Sequence, residues 1–176
     1  MKSGRVLVAT AALLAGGCAL DRALPAPTCA DGGSALIAAQ SVPTASQIPC
    51  LKRLPDGWEI SSVSVNQHRT IVRLDSDRAG ENAATLRLED DCDVSRAVSA
   101  PSDLSSATRY DQIDRLEPGF RASRYYVFPG GCVSWTFDFD DGASATESVA
   151  IGEALELISR RSFNDSLRET FVDEDL

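Results

Sequence analysis

Polar and apolar residues alternate along the middle of the chain, a pattern typical of β-strands with one buried face. The alternation covers 58–65 and resumes over 70–74, and the polar residues 66–68 between these runs predict a hairpin turn. A third alternating run covers 84–88, and a fourth covers 108–113. We therefore expect four strands in this part of the chain, the first two of them joined as a hairpin.

The strongest hairpin pattern lies at 121–139. Two runs rich in aromatic and β-branched residues, RASRYYVF and CVSWTFDF, flank the Pro-Gly-Gly turn at 129–131. Aromatic side chains that alternate between the two faces of these strands cannot all enter one core. The outward set is a candidate partner surface, and we assign Tyr126 and Phe128 to it. Core packing is the commoner use of aromatic residues and is the favoured interpretation over recognition, so this surface is a candidate only.

Apolar residues at helical spacing occur on both sides of the predicted strands. The short run 35–40 predicts a helix of about two turns that ends before Pro43. The segment 144–171 is predicted to be helical, because Ser144 and Glu147 have the spacing of a capping box and apolar residues then recur at helical intervals. The predicted fold class is α+β: an antiparallel sheet of about five strands, with the C-terminal helix packed on one face and a short N-terminal helix.

The start of the chain has the pattern of an export signal that ends at a lipid-modified cysteine. Lys2 and Arg5 are followed by an apolar run that ends at position 14, then by small residues, and then by Cys18. This order is typical of a secretory signal peptide, and the apolar run is too short to span a membrane. We predict that 1–17 is a signal peptide and that Cys18 is lipidated.

One position departs from the usual lipidation pattern. Lipidated bacterial proteins commonly have Leu, Val or Ile three residues before the cysteine, whereas Ala15 stands there and the leucine is Leu14. The alternative is cleavage nearby, which would release a secreted protein. Lipidation accounts better for Cys18, because without it this cysteine is an unpaired thiol with no evident role. Two acyl chains would anchor the protein stably to a bilayer. We therefore expect the protein on the outer face of the cytoplasmic membrane.

Composition divides the chain into four parts. After the signal peptide 1–17, the stretch 18–34 is rich in alanine, proline and glycine and is predicted to be a tether. Residues 35–172 contain all the predicted strands and helices, and they are long enough to form a single α+β domain with its own core. The final residues 173–176 form an acidic tail.

Four cysteines remain once Cys18 carries lipid: Cys29, Cys50, Cys92 and Cys132. Four cysteines allow three pairings, and we favour the most local one, which joins Cys29 to Cys50 and Cys92 to Cys132. The chain has no C-x-x-C motif and a single histidine, so a zinc site is not expected. We interpret the four cysteines as two structural disulfides, which are typical of exported proteins.

The chain is acidic, with 26 acidic against 17 basic residues and a net charge of −9. This charge argues against nucleic acid as a partner, because phosphate backbones are bound by clustered Lys and Arg. The stretch 75–80 begins like a calcium loop, but Ala79 and Leu86 stand where such a loop needs oxygen ligands. A cation site would require 75–80 to meet a second acidic cluster, such as 138–141. We predict no metal and no cofactor.

An enzymatic role has little support in the residue pattern. His68 is the only histidine, it lies in a predicted turn, and no G-x-S-x-G motif supplies a nucleophile. A glycosidase needs two carboxylates at a fixed separation, and this chain has many carboxylates, none in a distinctive context. We therefore assign no catalytic residue. Two titratable groups facing each other in a cleft would indicate an enzyme, whereas exposed aromatic residues would indicate a binding surface.

Three stretches of the chain resemble a group of actinobacterial exported proteins of unassigned function. They are LIAAQSVPTASQIPCLKRLPDGW, LDSDRAG and RYYVFPGGCVSWTF, and the resemblance extends over residues 35–165. It implies an extracytoplasmic, membrane-associated location and identifies no catalytic residue.

The favoured function is a lipid-anchored extracytoplasmic binding or accessory module of the bacterial cell envelope. Its expected partners are the membrane, through the lipid anchor, and a membrane or cell-wall protein. Two alternatives stay open: a carboxylate-dependent envelope hydrolase, and a secreted protein that binds a small ligand or a cation.

Overall fold

The computed structural model describes residues 27–29 and 32–172. The predicted signal peptide 1–17, the lipidation site Cys18, most of the tether and the tail 173–176 lie outside the described residues. The described residues are mostly β, with far more of them in strands than in helices. The predicted α+β class with about five strands is therefore wrong, because two antiparallel sheets form a β-sandwich-like fold.

The described residues form three helices and nine strands. In chain order they are α1 (Gly32–Ser41), β1 (Gln47–Leu51), β2 (Trp58–Asn66), β3 (Arg69–Ser76), β4 (Gly80–Glu89), β5 (Val98–Ala100), β6 (Thr108–Arg115), β7 (Arg121–Phe128), β8 (Gly131–Asp138), α2 (Glu147–Gly152), β9 (Leu155–Ser159) and α3 (Arg160–Val172). The larger sheet has the strand order β2-β3-β4-β8-β7-β6-β5, and β1 pairs with β9 in the smaller sheet.

The strands predicted from alternation are confirmed. The hairpin β2–β3, the strands β4 and β6 and the hairpin β7–β8 all cover the predicted runs, with β4 extending several residues further at its start. Three strands were not predicted, namely β1, β5 and β9. In β1, Pro49 is typical of a strand with few partners, and in the structure β1 pairs with β9 alone among the named strands.

The C-terminal region differs most from the prediction. Instead of one helix over 144–171, a six-residue helix α2 is followed by the strand β9 and then by α3. Leu155 and Ile158 have helical spacing in the sequence. In the structure they lie in β9 and pair with Leu51 and Ile48 of β1. Short apolar runs fit both periods, and here tertiary pairing decides between them. The predicted capping box is also absent: the N-cap of α2 is Thr146, which makes no side-chain cap bond.

The larger sheet has a core face and an outer face. The core face carries the largest fully buried side chains, among them Trp135, Phe137 and Leu86. Leu51 of β1 and Leu155 of β9 belong to the same apolar cluster. The smaller sheet therefore covers the core face, as two packed layers around one core require.

The side chain of Arg160, at the start of α3, forms hydrogen bonds to the C-terminal end of α1 and to the loop that follows it. Its Nη2 atom donates to the carbonyl oxygens of Ala39 at 3.0 Å and Val42 at 2.8 Å, and its Nε atom donates to the carbonyl of Ala45. These carbonyls lie at the end of α1 and in the following loop, where helix carbonyls lack intrahelical partners. Arg160 therefore caps α1 from a distant part of the chain.

Two disulfides cross-link the described part of the chain. Cys29 is bonded to Cys50 and Cys92 to Cys132, which is the local pairing favoured from the sequence. Leu51 forms backbone hydrogen bonds with both Pro27 and Cys29, so 27–29 already belongs to the folded unit. The helix α1 likewise begins before the predicted domain boundary at 35.

The disulfides also bear on the location of the protein. Disulfides persist in oxidising compartments and are rare in the cytosol, so the two bridges indicate an extracytoplasmic protein. None of the described helices combines the length and the apolar character needed to cross a bilayer.

Candidate functional site

A large concavity lies beside the turn that joins β6 to β7. It is lined by 113–119 on one side and by 142–145 on the other, and its volume is about 1450 Å³. A smaller inner chamber of about 260 Å³ shares Ile113, Leu116 and Ala145 with it. We call the two together the β6–β7 cleft.

Large apolar side chains are exposed at the mouth of the β6–β7 cleft. Ile113 is 62% exposed and Leu116 is 64% exposed. Val98 of β5 is exposed beside them. It lies opposite Asp111 of β6, and Ile113 lies two residues after Asp111 on the same face of β6. The fourth large apolar residue exposed in the described chain, Val149, lies on α2 outside the lining residues. Three of the four therefore gather at one end of the sheet.

The floor of the inner chamber combines apolar side chains with one ion pair. Phe120, Ala122 and Phe137 are buried members of the main core. Arg124 and Asp111 lie beside them, with Arg124 Nε 3.1 Å from Asp111 Oδ1. A mostly apolar pocket with a few polar groups at fixed positions is the usual form of a ligand-binding site.

Asp111 is held by two arginines. Arg109 contacts both carboxylate oxygens, with Nη2 at 2.7 Å from Oδ2, and Arg124 approaches from the neighbouring strand β7. Burial alone would raise the pKa of Asp111, but the hydrogen bonds and positive charges of the two arginines outweigh it and hold the pKa below the usual range. The carboxylate therefore stays ionised, and Asp103 adds a second, more distant contact to Arg109 at 3.4 Å.

The predicted partner surface is wrong in its choice of residues. Tyr126 is fully buried and Phe128 is 6% exposed, so both belong to the core. The hydroxyl of Tyr126 donates to Asp103 Oδ1 at 3.0 Å. Burial raises the pKa of Tyr126 to about 12, so the hydroxyl remains a proton donor at neutral pH.

The phase of strand β7 explains this error. In register, Tyr126 lies opposite Val133, which places it on the core face, and Tyr125 takes the outer face. Arg124 shares the core face with Tyr126, because Asp111 lies opposite it on β6 and neutralises its charge. A buried arginine in β7 was not expected, so the sequence pattern assigned the two faces the wrong way round.

His68 does not form a catalytic group with a nucleophile. Its Nδ1 atom lies 2.6 Å from Asp90 Oδ2, and its side chain is largely exposed in the β2–β3 turn. Within the described part of the chain, its other ring nitrogen has no hydrogen-bond partner. The pair therefore joins the turn to the segment after β4.

Two of the predicted acidic clusters do approach each other. Asp75 and Asp77 line one open pocket of about 920 Å³ together with Asp140. Among the described residues, however, no group of three or more His, Cys, Asp and Glu side chains could hold a metal ion.

Sequence reasoning missed the charged network that lies beside the cleft. The signal was present in β6, where Arg109 and Asp111 alternate with Tyr110 and Gln112. Charged residues at every second position place their side chains on one face. Because charged side chains are most often exposed to solvent, the pattern alone was equally compatible with a solvent-facing side of the strand.

Comparisons with known proteins leave the chain without an assigned family. No protein-family model matches the chain, and no curated protein is similar to it. One solved structure, from Bacteroides thetaiotaomicron VPI-5482, is similar at 10% identity with a TM-score of 0.35. The similarity covers 65% of this chain and 46% of that chain, so this chain spans less than half the length of that protein. A likeness this weak carries no argument about fold or function.

Proposed function

We propose that this protein is a lipid-anchored extracytoplasmic binding module of the cell envelope, and that it holds an apolar segment of a membrane or cell-wall protein in the β6–β7 cleft. The observation that carries the proposal is the exposure of Ile113 and Leu116 above an apolar floor. Clustered apolar side chains at a concave surface are typical of protein-binding sites.

The electrostatics of the cleft favour an uncharged occupant. Asp111 is neutralised by Arg109 and Arg124, so the inner chamber presents no unpaired carboxylate. The charged side chains of Asp114, Arg115 and Glu117 lie at the outer lining of the cleft.

An apolar centre surrounded by a polar rim matches the usual anatomy of a protein–protein interface.

The contacts of the carboxylates in the cleft argue against the hydrolase alternative. Asp111 is bound by two guanidinium groups, and the carboxylate of Asp114 accepts a hydrogen bond from Gln112 Nε2 at 2.6 Å. These two carboxylates are thus engaged in structural contacts rather than poised as an acid and a base.

A site-specific photocrosslinker tests the cleft directly. Placed at position 116 in the full-length protein, it should label one partner in intact cells, whereas the same crosslinker at position 149 should not label that partner. Val149 is a matched control, because it is also an exposed apolar residue but lies outside the cleft lining. The substitution Ile113→Asp should abolish the labelling at 116, because it places an unpaired charge at the mouth of an apolar site.

The anchor is tested separately by Cys18→Ala. This variant should leave the membrane fraction while keeping its fold and its cleft. Retention of Cys18→Ala in the membrane fraction would contradict the lipid anchor. Equal labelling from positions 116 and 149 would contradict the cleft, whatever the location of the protein.

A further inference from the structure

The outer face of the larger sheet carries a row of side chains that the proposed function does not use. The register places Tyr110, Tyr125, Ser134, Arg87 and Ile71 side by side across five neighbouring strands. All except Ser134 are partly exposed to solvent. This row lies on the opposite side of the sheet from Trp135 and the rest of the core.

Three arginines converge at one end of this row. Arg87 lies opposite Ile71 in register, and Arg69 and Arg73 flank Ile71 on the same face of β3. Arg69 forms an ion pair with Glu89, whose Oε1 atom lies 2.7 Å from Arg69 Nε. Arg73 forms no ion pair within the described residues, and Arg87 Nη1 donates to the hydroxyl of Thr136.

This arrangement is locally unfavourable. Burial lowers the pKa of Arg87, Glu89 opposes that change, and the positive charges of Arg69 and Arg73 lower the pKa further. Arg69 and Arg73 lie diagonally across from Arg87, within reach of long side chains, and like charges at such positions repel each other. The chain has more acidic than basic residues, so the general charge balance does not explain such a cluster. Local conflicts of this kind are characteristic of functional sites.

The chemistry of the cluster fits a carboxylate-bearing ligand. An arginine guanidinium is planar and binds a carboxylate through two parallel hydrogen bonds. Between Arg87 and the tyrosines, the neighbouring positions are filled by small hydroxyl side chains, including Ser134, Ser123 and Thr136. The surface there is shallow and rich in hydrogen-bond donors and acceptors.

The tyrosines extend the site toward β6. Tyr110 and Tyr125 are direct cross-strand neighbours, and three strand spacings of ~4.8 Å separate Tyr110 from Arg87, a span of about 14 Å. Aromatic rings offer flat apolar faces with a polar tip. A ligand that contacts the tyrosines at one end of the row and the arginines at the other therefore needs flat rings and negative charges along one chain.

We propose that the outer face binds an acidic glycan built of uronic acid rings, with Tyr110 and Tyr125 against the sugar rings and Arg73 and Arg87 on the carboxylates. A polymer of phosphodiester-linked polyols would satisfy the arginines but has no rings to contact the tyrosines. Uronic acid chains carry the ring and the charge in the same unit.

Isothermal titration calorimetry with oligogalacturonate tests the proposal on the folded protein. The glycan should bind at low ionic strength and weaken as salt is added. Arg87→Gln and Tyr125→Ser should each reduce the affinity about tenfold. Arg53→Gln is the matched control, because it removes the same charge from an exposed arginine that pairs only with Asp56 at 3.9 Å.

Three results would overturn the proposal. The first is equal binding of a neutral oligosaccharide of the same length, which would show that the arginines are not used. The second is equal or tighter binding of inorganic polyphosphate that is insensitive to Tyr125→Ser, which would assign the face to a phosphate polymer. The third is no heat with oligogalacturonate, oligoglucuronate or oligomannuronate while the melting temperature shows an intact fold.

Discussion

Replacing Asp111 with asparagine tests the charged network under the cleft. The change leaves the guanidinium groups of Arg109 and Arg124 without their shared carboxylate, although their side chains are only 18% and 14% exposed. Removing one partner of a buried ion pair costs about 3–5 kcal/mol. Because Asp103 still reaches Arg109 and the pair is only partly buried, we expect a smaller loss, about 2–3 kcal/mol.

The assay is thermal and urea unfolding of both proteins at neutral pH, with the disulfides intact. A loss of this size should lower the melting temperature by about 4–12 °C. Asp114→Asn is the control, because Asp114 is an exposed carboxylate on the same strand that contacts only Gln112. The control should change the free energy of unfolding by less than about 0.5 kcal/mol.

The pH dependence gives a sharper test of the same reasoning. The pKa of Asp111 is lowered in the folded state, so its contribution is fully present above the unfolded-state pKa, ~3.9. That contribution is lost as the pH falls through the lower folded-state pKa. The stability difference between wild type and Asp111→Asn should therefore be constant from about pH 7 to pH 5 and shrink below about pH 4. A difference that is absent at pH 7, or that does not shrink in acid, would refute the role assigned to the carboxylate.

Three other predictions concern stability. Gly130→Ala should cost about 2 kcal/mol or more, because Gly130 has a φ of 77° and a Cβ there would collide with a carbonyl of the α1–β1 loop. Gly142→Ala is the control and should cost less, because Gly142 has a φ of 86° but open space around it. Equal losses of the free energy of unfolding in urea would contradict this prediction. Replacing Cys92 and Cys132 together by serine should cost about 4 kcal/mol, from their sequence separation of 40. The difference should vanish under reducing conditions, where neither protein has a disulfide, and a difference that persists there would contradict the assignment to the bridge. Arg160→Met should destabilise the fold by about 2–3 kcal/mol and raise amide exchange at the end of α1, since three carbonyls lose their donor; unchanged exchange there would count against the capping role.

The strands of the larger sheet were predictable because their signal is local. Alternation along 58–76 and 121–139 reports one buried face, and the structure confirms both hairpins. The strand β9 was not predictable in this way. Leu155 and Ile158 fit a helix as well as a strand, and the choice depends on β1, which lies about 100 residues earlier in the chain.

The candidate site was harder to predict for a related reason. In β7 both faces carry aromatic side chains, Tyr125 on one and Tyr126 on the other, so apolar alternation does not fix the phase. The phase is set by Arg124, which can point toward the core only because Asp111 lies opposite it. A single strand does not reveal its cross-strand partner, so neither the cleft floor nor the exposed tyrosines were identifiable from sequence.

The two proposed surfaces share the strands β6 and β7 but use opposite faces of them. On β6, Asp111 and Ile113 belong to the cleft side, whereas Tyr110 contributes to the outer face. Successive side chains of a strand point to opposite faces, so a surface substitution on one side leaves the other side's contacts in place. Leu116→Asp should therefore abolish partner capture in the cleft and leave oligogalacturonate affinity unchanged. Arg87→Gln should leave partner capture unchanged and lower the oligogalacturonate affinity about tenfold. If either variant impaired both activities while its melting temperature stayed at the wild-type value, the two faces would have to form one site, and the assignment of separate ligands to them would fail.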